Sequence, residues 1–199
     1  IMREAVHEPL RNPKKSIGGL IGGEARKVAD FEKTSRSICG PLVGRAIAYS
    51  MAVLEVNSSM GLIVAAPTAG SSGVLPGVLL ALQEERELAN EDMFKGLLHA
   101  SAIGYLLMRN ASVSGAEAGC QAEVGAASAM AAGAVVEIMG GTPEMSLQAA
   151  SLAISNLLGM VCDPIAGLVE SPCQSRNSVG AANALICAEM ALSGVTHPI

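Results

Sequence analysis

The stretch Gln121-Ala122-Glu123-Val124-Gly125-Ala126-Ala127-Ser128-Ala129-Met130-Ala131-Ala132-Gly133-Ala134-Val135-Val136-Glu137-Ile138-Met139 decides the fold. Alanine has the highest intrinsic helix propensity, and the run continues without a break until Gly140-Gly141. It predicts a long helix over 121–139. Immediately afterwards Thr142-Pro143-Glu144 supplies an N-cap, a proline at the first helical position and an early acidic residue, so a second helix runs from there to about Met160. A last helix is expected over Ala181 to Ser193. Upstream, Gly40-Pro41 opens a helix carrying Leu42, Ile47, Met51 and Leu54 toward Asn57. Further helices are expected over 74–88 and, with Asn90 as N-cap, through Met108. The first 40 residues are polar and Gly-rich and read as turns around Gly18-Gly19 and Gly22-Gly23. No segment alternates with the period of two that marks a strand. The expectation is an all-α protein, a compact bundle of Ala/Gly-rich helices forming a single helical domain over 1–199. Three long loops, 67–73, 110–119 and 163–177, interrupt it, and loops of that length tend to be functional.

Composition agrees with close helix packing. Half of the 199 residues are apolar, yet only 2% are aromatic and Trp is absent, while Gly numbers 22. Small side chains let helix backbones approach, whereas a β-sandwich or barrel draws on aromatic and β-branched residues. A net charge of −5 gives no footprint for nucleic acid. The uncharged stretch Val56 to Gln83 is interrupted by Pro67, Gly70, Gly73 and Pro76, so it reads as loop plus core helix, not as a membrane span. No apolar signal segment follows Ile1-Met2-Arg3-Glu4. Five cysteines without regular spacing suit a reducing cytoplasm, where thiols serve as ligands more often than as disulfides. The chain lacks an initiator Met at position 1 and ends at His197-Pro198-Ile199, and is read as a fragment or trimmed subunit.

Three cysteines have unusual neighbours: Gly119-Cys120-Gln121-Ala122-Glu123, Val161-Cys162-Asp163-Pro164 and Ser171-Pro172-Cys173-Gln174-Ser175-Arg176-Asn177. A structural thiol needs no turn, but a metal-bound thiolate is stabilised by the backbone N–H groups that turns present. The spacings are not those of a ferredoxin or zinc ribbon, so the ligands would have to converge from separate segments. Three structural thiols, a zinc with an open position and an iron–sulfur cluster lacking a fourth protein ligand all remain open on the residues alone. Cys187, within Ala184-Leu185-Ile186-Cys187-Ala188, fits a core thiol, and Cys39 precedes Gly40-Pro41. The loop Ala65 to Gly73 offers Thr68, Ser71 and Ser72 with unhindered backbone N–H groups, suited to a carboxylate or phosphate, although it does not match a P-loop. Asn110, Ser112 and Ser114 precede Cys120. Arg176 could hold a substrate carboxylate or pair with Asp163, and Asn177 follows it. His7, His99 and His197 carry no signal.

Together these motifs resemble the iron–sulfur-dependent L-serine dehydratases: Ala-Pro-Thr-Ala-Gly-Ser-Ser-Gly over 66–73, Gly-Cys-Gln-Ala-Glu-Val-Gly over 119–125, Cys-Asp-Pro-Ile-Ala-Gly-Leu-Val-Glu over 162–170 and Pro-Cys-Gln-Ser-Arg-Asn over 172–177. The likeness is to the α subunit, or catalytic domain, from about Gly18 onward. It implies a [4Fe–4S] cluster on Cys120, Cys162 and Cys173, with an exchangeable iron facing the substrate, as in aconitase. It implies an ammonia-lyase that converts L-serine to pyruvate and ammonia in serine degradation and gluconeogenesis. A cytoplasmic oligomer with a β, or regulatory, subunit or domain follows from the same likeness. Family catalytic domains begin with a longer helical segment and continue into a Gly-rich tail, so this chain is expected to be truncated at both ends. Ser114, Arg176 and Asn110 are the expected catalytic residues, and Thr68, Ser71, Ser72 and Asn177 the expected substrate contacts. For the base, Ser112, Ser114, Glu117, Glu123 and Glu170 are all near the ligands in sequence. The competing reading is a helical scaffold subunit whose cysteines are only structural. A pyridoxal phosphate enzyme would need an α/β fold and a Schiff-base lysine, and Lys27 and Lys95 lie outside every motif.

Overall fold

The structure, a computed structural model, describes residues 1–198; the terminal Ile199 lies outside the described residues. Helices α1 (Met2–Arg11), α2 (Glu24–Glu32), α3 (Gly40–Ser58), α4 (Val74–Arg86), α5 (Asn90–Asn110), α6 (Gly115–Ile138), α7 (Pro143–Ser155) and α8 (Cys173–Leu192) follow one another, with a 3-10 turn at Ile165–Gly167. Among the described residues there is no strand, and no helix is long and apolar enough to cross a membrane. The protein is all-α, as the alanine-rich run predicts.

Helix α6 is the axis of the molecule. From Val124 to Val136 every residue is buried, which requires a helix apolar on all sides and surrounded by neighbours. Helices α4, α5, α7 and α8 supply them, and α3 packs in turn on α4 and α8. The small side chains of α6 allow this. Thr142 caps α7 as expected, its hydroxyl accepting from the N–H of Met145 at 3.2 Å.

Several boundaries differ from expectation. The polar N-terminal segment contains α1 and α2, which bury only a narrow stripe, Ala5, Val6 and Pro9 in one and Ala25 in the other. Such short stripes leave little periodic signal among the charges. Helix α5 is capped by Ala89, with Asn90 already helical. Helix α7 ends at Ser155, short of Met160. The expected loop 110–119 shrinks because α6 begins at Gly115 and kinks at Gly119, where φ is 80° and ψ 172°. A positive φ there is available to glycine at little cost. The kink frees the N–H of Gln121 to donate to the carbonyl of Met160 at 2.8 Å, so Cys120 sits where the straight part of the helix starts. Helix α8 begins at Cys173, eight residues before the expected Ala181, and Arg176 and Asn177 are therefore on a helix and not in a loop.

Candidate active site

Segments far apart in sequence meet at one end of the bundle around a cavity of about 440 Å³. The loop between α3 and α4 brings Thr68 and Gly70, the start of α6 brings Ser114, Gly115, Cys120 and Glu123, the α7–α8 connection brings Cys162 and Asp163, and the first turn of α8 brings Cys173 and Arg176. All five cysteines are free, and three of them line this one cavity. Cys120 is buried, Cys173 half-buried and Cys162 exposed. Cys39, the residue before α3, is exposed and is not in the cavity lining. Cys187 is buried among the helices and takes a hydrogen bond from Asn156 Nδ2 at 3.3 Å, and burial pushes its thiol up to about 11. It is the core thiol that its apolar neighbours predict.

Burial dominates the electrostatics of two of the cavity thiols. Burial raises Cys173 to about 11, and the neighbouring Cys120, Glu123 and Cys162 push the same way while Arg176 opposes them. Burial also raises Cys120, with Arg176 again opposing and Cys162 and Glu123 reinforcing. Cys120 and Cys173 are therefore protonated until a cation displaces their protons, as metal coordination does. Both lie where a helix begins, Cys173 as the first residue of α8 and Cys120 just after the kink in α6, and the partial positive charge of a helix N-terminus favours a thiolate.

Among the described residues, Arg176 is the one guanidinium that lines the cavity. Its Nη1 contacts Asp163 Oδ1, the carbonyl of Val161 at 3.1 Å and Cys120 Sγ at 3.5 Å. The ion pair with Asp163 holds that carboxyl below its ordinary range and raises the guanidinium further. Of the two alternatives for Arg176, the pairing with Asp163 is present, and Nε and Nη2 make no hydrogen bond among the described residues, leaving one edge of the fork unbonded.

The remaining expected site residues divide. Ser114 precedes α6 and lines the cavity. Thr68 lines it too, its hydroxyl bonded to Glu123 Oε1 and 2.9 Å from Ser71 Oγ. Ser71 and Ser72 are fully buried, and Ser72 donates to the carbonyl of Ala69 at 2.7 Å, which makes it a turn hydroxyl. Asn177 is fully buried as well: it donates to the carbonyls of Gly70 at 2.8 Å and Cys173 at 2.9 Å and accepts from the N–H of Gly73 at 3.1 Å. It staples the 65–73 loop to α8. Asn110 is exposed at the end of α5, its amide turned back onto the carbonyl of Leu106 at 2.7 Å, and it is not in the cavity lining.

Of the carboxylates near the cysteines in sequence, Glu123 alone lines the cavity with Asp163. Glu117 pairs with Ser112 on the surface at 2.5 Å, and Glu170 turns away to hold the N-terminal segment. The signal for Glu123 was its place three residues after Cys120, which puts the two side chains on one helix face.

Over its whole length, residues 1–199, the chain matches the family described as serine dehydratase alpha chain. The chain belongs to the serine dehydratase alpha chain family. It is 49% identical over 199 residues to a probable L-serine dehydratase alpha chain of Bacillus subtilis, covering all of this chain and 66% of that one. It is 49% identical over 176 residues to an L-serine dehydratase alpha chain of Peptoniphilus asaccharolyticus, covering 88% of this chain and 60% of that one. An L-serine dehydratase of Streptomyces coelicolor is 48% identical over 147 residues, 73% of this chain and 32% of the relative. The chain thus spans less than two thirds of the length of these relatives.

The fold brings Cys120, Cys162 and Cys173 together in a manner that bears on what they could hold. Among the described residues no three His, Cys, Asp or Glu side chains converge closely enough for a single metal ion. A polynuclear iron–sulfur cluster asks for something else, since its thiolates bind different irons and must be spread around a cavity that admits the inorganic core. Three free thiols around 440 Å³, with no histidine among the lining residues, fit that demand.

Proposed function

We propose that the chain is the catalytic part of an L-serine dehydratase, an ammonia-lyase that converts L-serine to pyruvate and ammonia. The observation that carries this reading is the meeting of Cys120, Cys162 and Cys173 from three separate segments at one cavity with Thr68, Ser114, Glu123 and Arg176. The names of its family relatives support it. In this reading Cys120, Cys162 and Cys173 hold a [4Fe–4S] cluster. When bound, that group supplies a Lewis acid beside the departing hydroxyl.

The chain's own residues bind and orient the substrate. The open edge of Arg176 is a bidentate partner for the serine carboxylate, and its ion pair with Asp163 fixes the plane of the fork. Ser114 and Thr68 offer hydroxyls to the polar groups of the substrate. Asn177 keeps the Thr68 loop in register with α8, so a guanidinium on one element and a hydroxyl on another keep a fixed spacing. Loss of the Cα proton and of the 3-hydroxyl as water leaves 2-aminoacrylate. This tautomerises to the imine, and water hydrolyses it to pyruvate and ammonia. A β chain, as the alpha-chain names of the relatives imply, and an oligomeric cytoplasmic assembly complete the proposal.

Anaerobic reconstitution with iron and sulfide tests the reading. The wild-type protein is expected to gain the broad visible absorbance of an iron–sulfur cluster and to release pyruvate from L-serine. Cys120→Ala, Cys162→Ala and Cys173→Ala are each expected to lose both, while Cys39→Ala and Cys187→Ala keep the absorbance. Undiminished absorbance in all three loop variants, or an iron-free wild-type protein after anaerobic purification, would favour a scaffold subunit.

A further inference from the structure

The two carboxylates in the cavity are not equivalent. Asp163 is taken by Arg176. Glu123 has no ion pair among the described residues, and its hydrogen bond comes from the Thr68 hydroxyl. That hydroxyl is itself held, accepting from the N–H of Ser71 at 3.3 Å and lying 2.9 Å from Ser71 Oγ.

Space around the Glu123 carboxylate is kept clear on two sides by glycine. A Cβ on Gly70 would stand 2.6 Å from Oε1, and one on Gly115 would stand 2.5 Å from Oε2. Those distances exclude any side chain at either position without displacement of the carboxylate. An anion confined in this way, with only a hydroxyl as partner, gains most from a cation that arrives from outside.

The placement of the two charges on their helices is parallel. Glu123 follows Cys120 by three residues on α6, and Arg176 follows Cys173 by three residues on α8. Each charge therefore shares a helix face with a cavity thiol. The cavity thus presents an unpaired anion from one helix and the free edge of a guanidinium from the other.

We propose that Glu123 binds the α-ammonium group of the substrate and so makes the site selective for α-amino acids over acids that lack the amino group. The inference rests on the dehydratase reading for the identity of the substrate. An amino acid placed with its carboxylate on Arg176 and its ammonium on Glu123 has its Cα hydrogen and its side chain as the two remaining substituents. For serine that side chain is the hydroxymethyl group that carries the 3-hydroxyl.

A matched pair of ligands isolates the amino group. L-alanine and propanoate differ only in that group, and neither carries a hydroxyl to eliminate. On the cluster-loaded holoenzyme, L-alanine is expected to compete with L-serine about 10- to 100-fold better than propanoate, the range for a charged hydrogen bond. Glu123→Gln is expected to reduce that preference to a few-fold and to raise KM for L-serine by a similar factor, with kcat less affected. Glu123→Asp, which keeps the charge one methylene short, is expected to restore part of the preference. A preference for L-alanine that survives undiminished in Glu123→Gln overturns the proposal. So does a collapse of kcat at unchanged KM, which would assign Glu123 to the proton instead. Visible absorbance verifies that each variant is loaded. If Glu123→Gln does not load, an undiminished preference in Glu123→Ala overturns the proposal equally. Absence of L-serine turnover in the wild type would remove the dehydratase reading alone, because calorimetric affinities for L-alanine and propanoate still test what Glu123 binds.

Discussion

Glu55 and Glu170 are both buried, both reach the N-terminal segment, and are shifted in opposite directions. Burial works against the Glu170 carboxylate, but hydrogen bonds from Ser16 Oγ at 2.5 Å, Gly18 N–H at 2.6 Å and Leu20 N–H at 3.0 Å outweigh it and hold the group below its ordinary 4.5. Stability from this carboxylate is present in full above 4.5 and is lost as pH falls through the lowered value. Glu55 Oε1 accepts from Ala25 N–H at 2.9 Å and Gln174 Nε2 at 3.0 Å, but Oε2 is buried without a partner. Burial dominates, and Glu55 is raised above 4.5. Folding then favours its protonated form, so its contribution is full below 4.5 and declines as pH rises toward the raised value. Chemical denaturation across pH separates the two. Glu170→Gln is expected to cost about 1.5–3 kcal/mol at neutral pH, with the gap to wild type closing in acid. Glu55→Gln is expected to gain on wild type as pH rises from 4.5. Parallel stability profiles for variant and wild type would contradict either assignment.

The helices of this bundle approach one another through small residues, and the cost of enlarging them depends on which atoms they face. At the α3–α4 contact, a Cβ on Gly77 would lie 2.7 Å from the backbone nitrogen of Ser50 and 3.0 Å from its Cα. Backbone cannot rotate away as a side chain can, so Gly77→Ala must push the two helices apart. A loss of about 1–3 kcal/mol is expected, the range for overpacking. Gly125 is buried in α6, but a Cβ there meets nothing within 4 Å. Gly125→Ala removes a helix-interior glycine at no steric cost and is expected to stabilise by about 0.5–1 kcal/mol. Thermal denaturation of the pair checks this, and the same sign for both variants would refute the steric argument. The contrast also shows why glycines in an apolar helix are ambiguous when read as sequence. Gly125 and Gly77 look alike until the partner element is known.

At the scale of the whole molecule, what could be read from the chain followed the periodicity of burial. Helix α6 was legible because thirteen successive residues from Val124 to Val136 are buried and nearly all are small and apolar. The first turns of α8 were not, because Cys173-Gln174-Ser175-Arg176-Asn177 has no apolar stripe. It buries Gln174 and Asn177, whose partners are Glu55 on α3 and Gly70 and Gly73 in the preceding loop. Those hydrogen bonds span more than 100 positions and leave no local pattern. Cys120, Cys162 and Cys173 were legible as a set because turn-forming neighbours beside a thiol are unusual. Their convergence with Glu123 and Arg176 is a property of the packed helices alone. The same long-range organisation makes the α7–α8 connection the weak point of the molecule. Val161 and Ile165 are more than half exposed, at 62% and 52%. Near its start the connection is tied down by Gln121 to Met160 and Gly159 and by Arg176 to Val161 and Asp163, while Glu170 anchors its far end to the N-terminal segment. Few buried apolar contacts mean a low free energy of local opening. A cluster bound through Cys120, Cys162 and Cys173 would bridge this connection to α6 and α8 and stabilise only the closed arrangement. Hydrogen exchange before and after cluster removal under oxygen is therefore expected to rise over residues 161–171 and near Cys120, while α3 and α4 keep their protection. An accompanying fall in melting temperature is expected. Exchange over 161–171 that is unchanged by cluster removal would mean that Cys162 is not a ligand, because a bridge through it cannot be lost without freeing the segment that carries it.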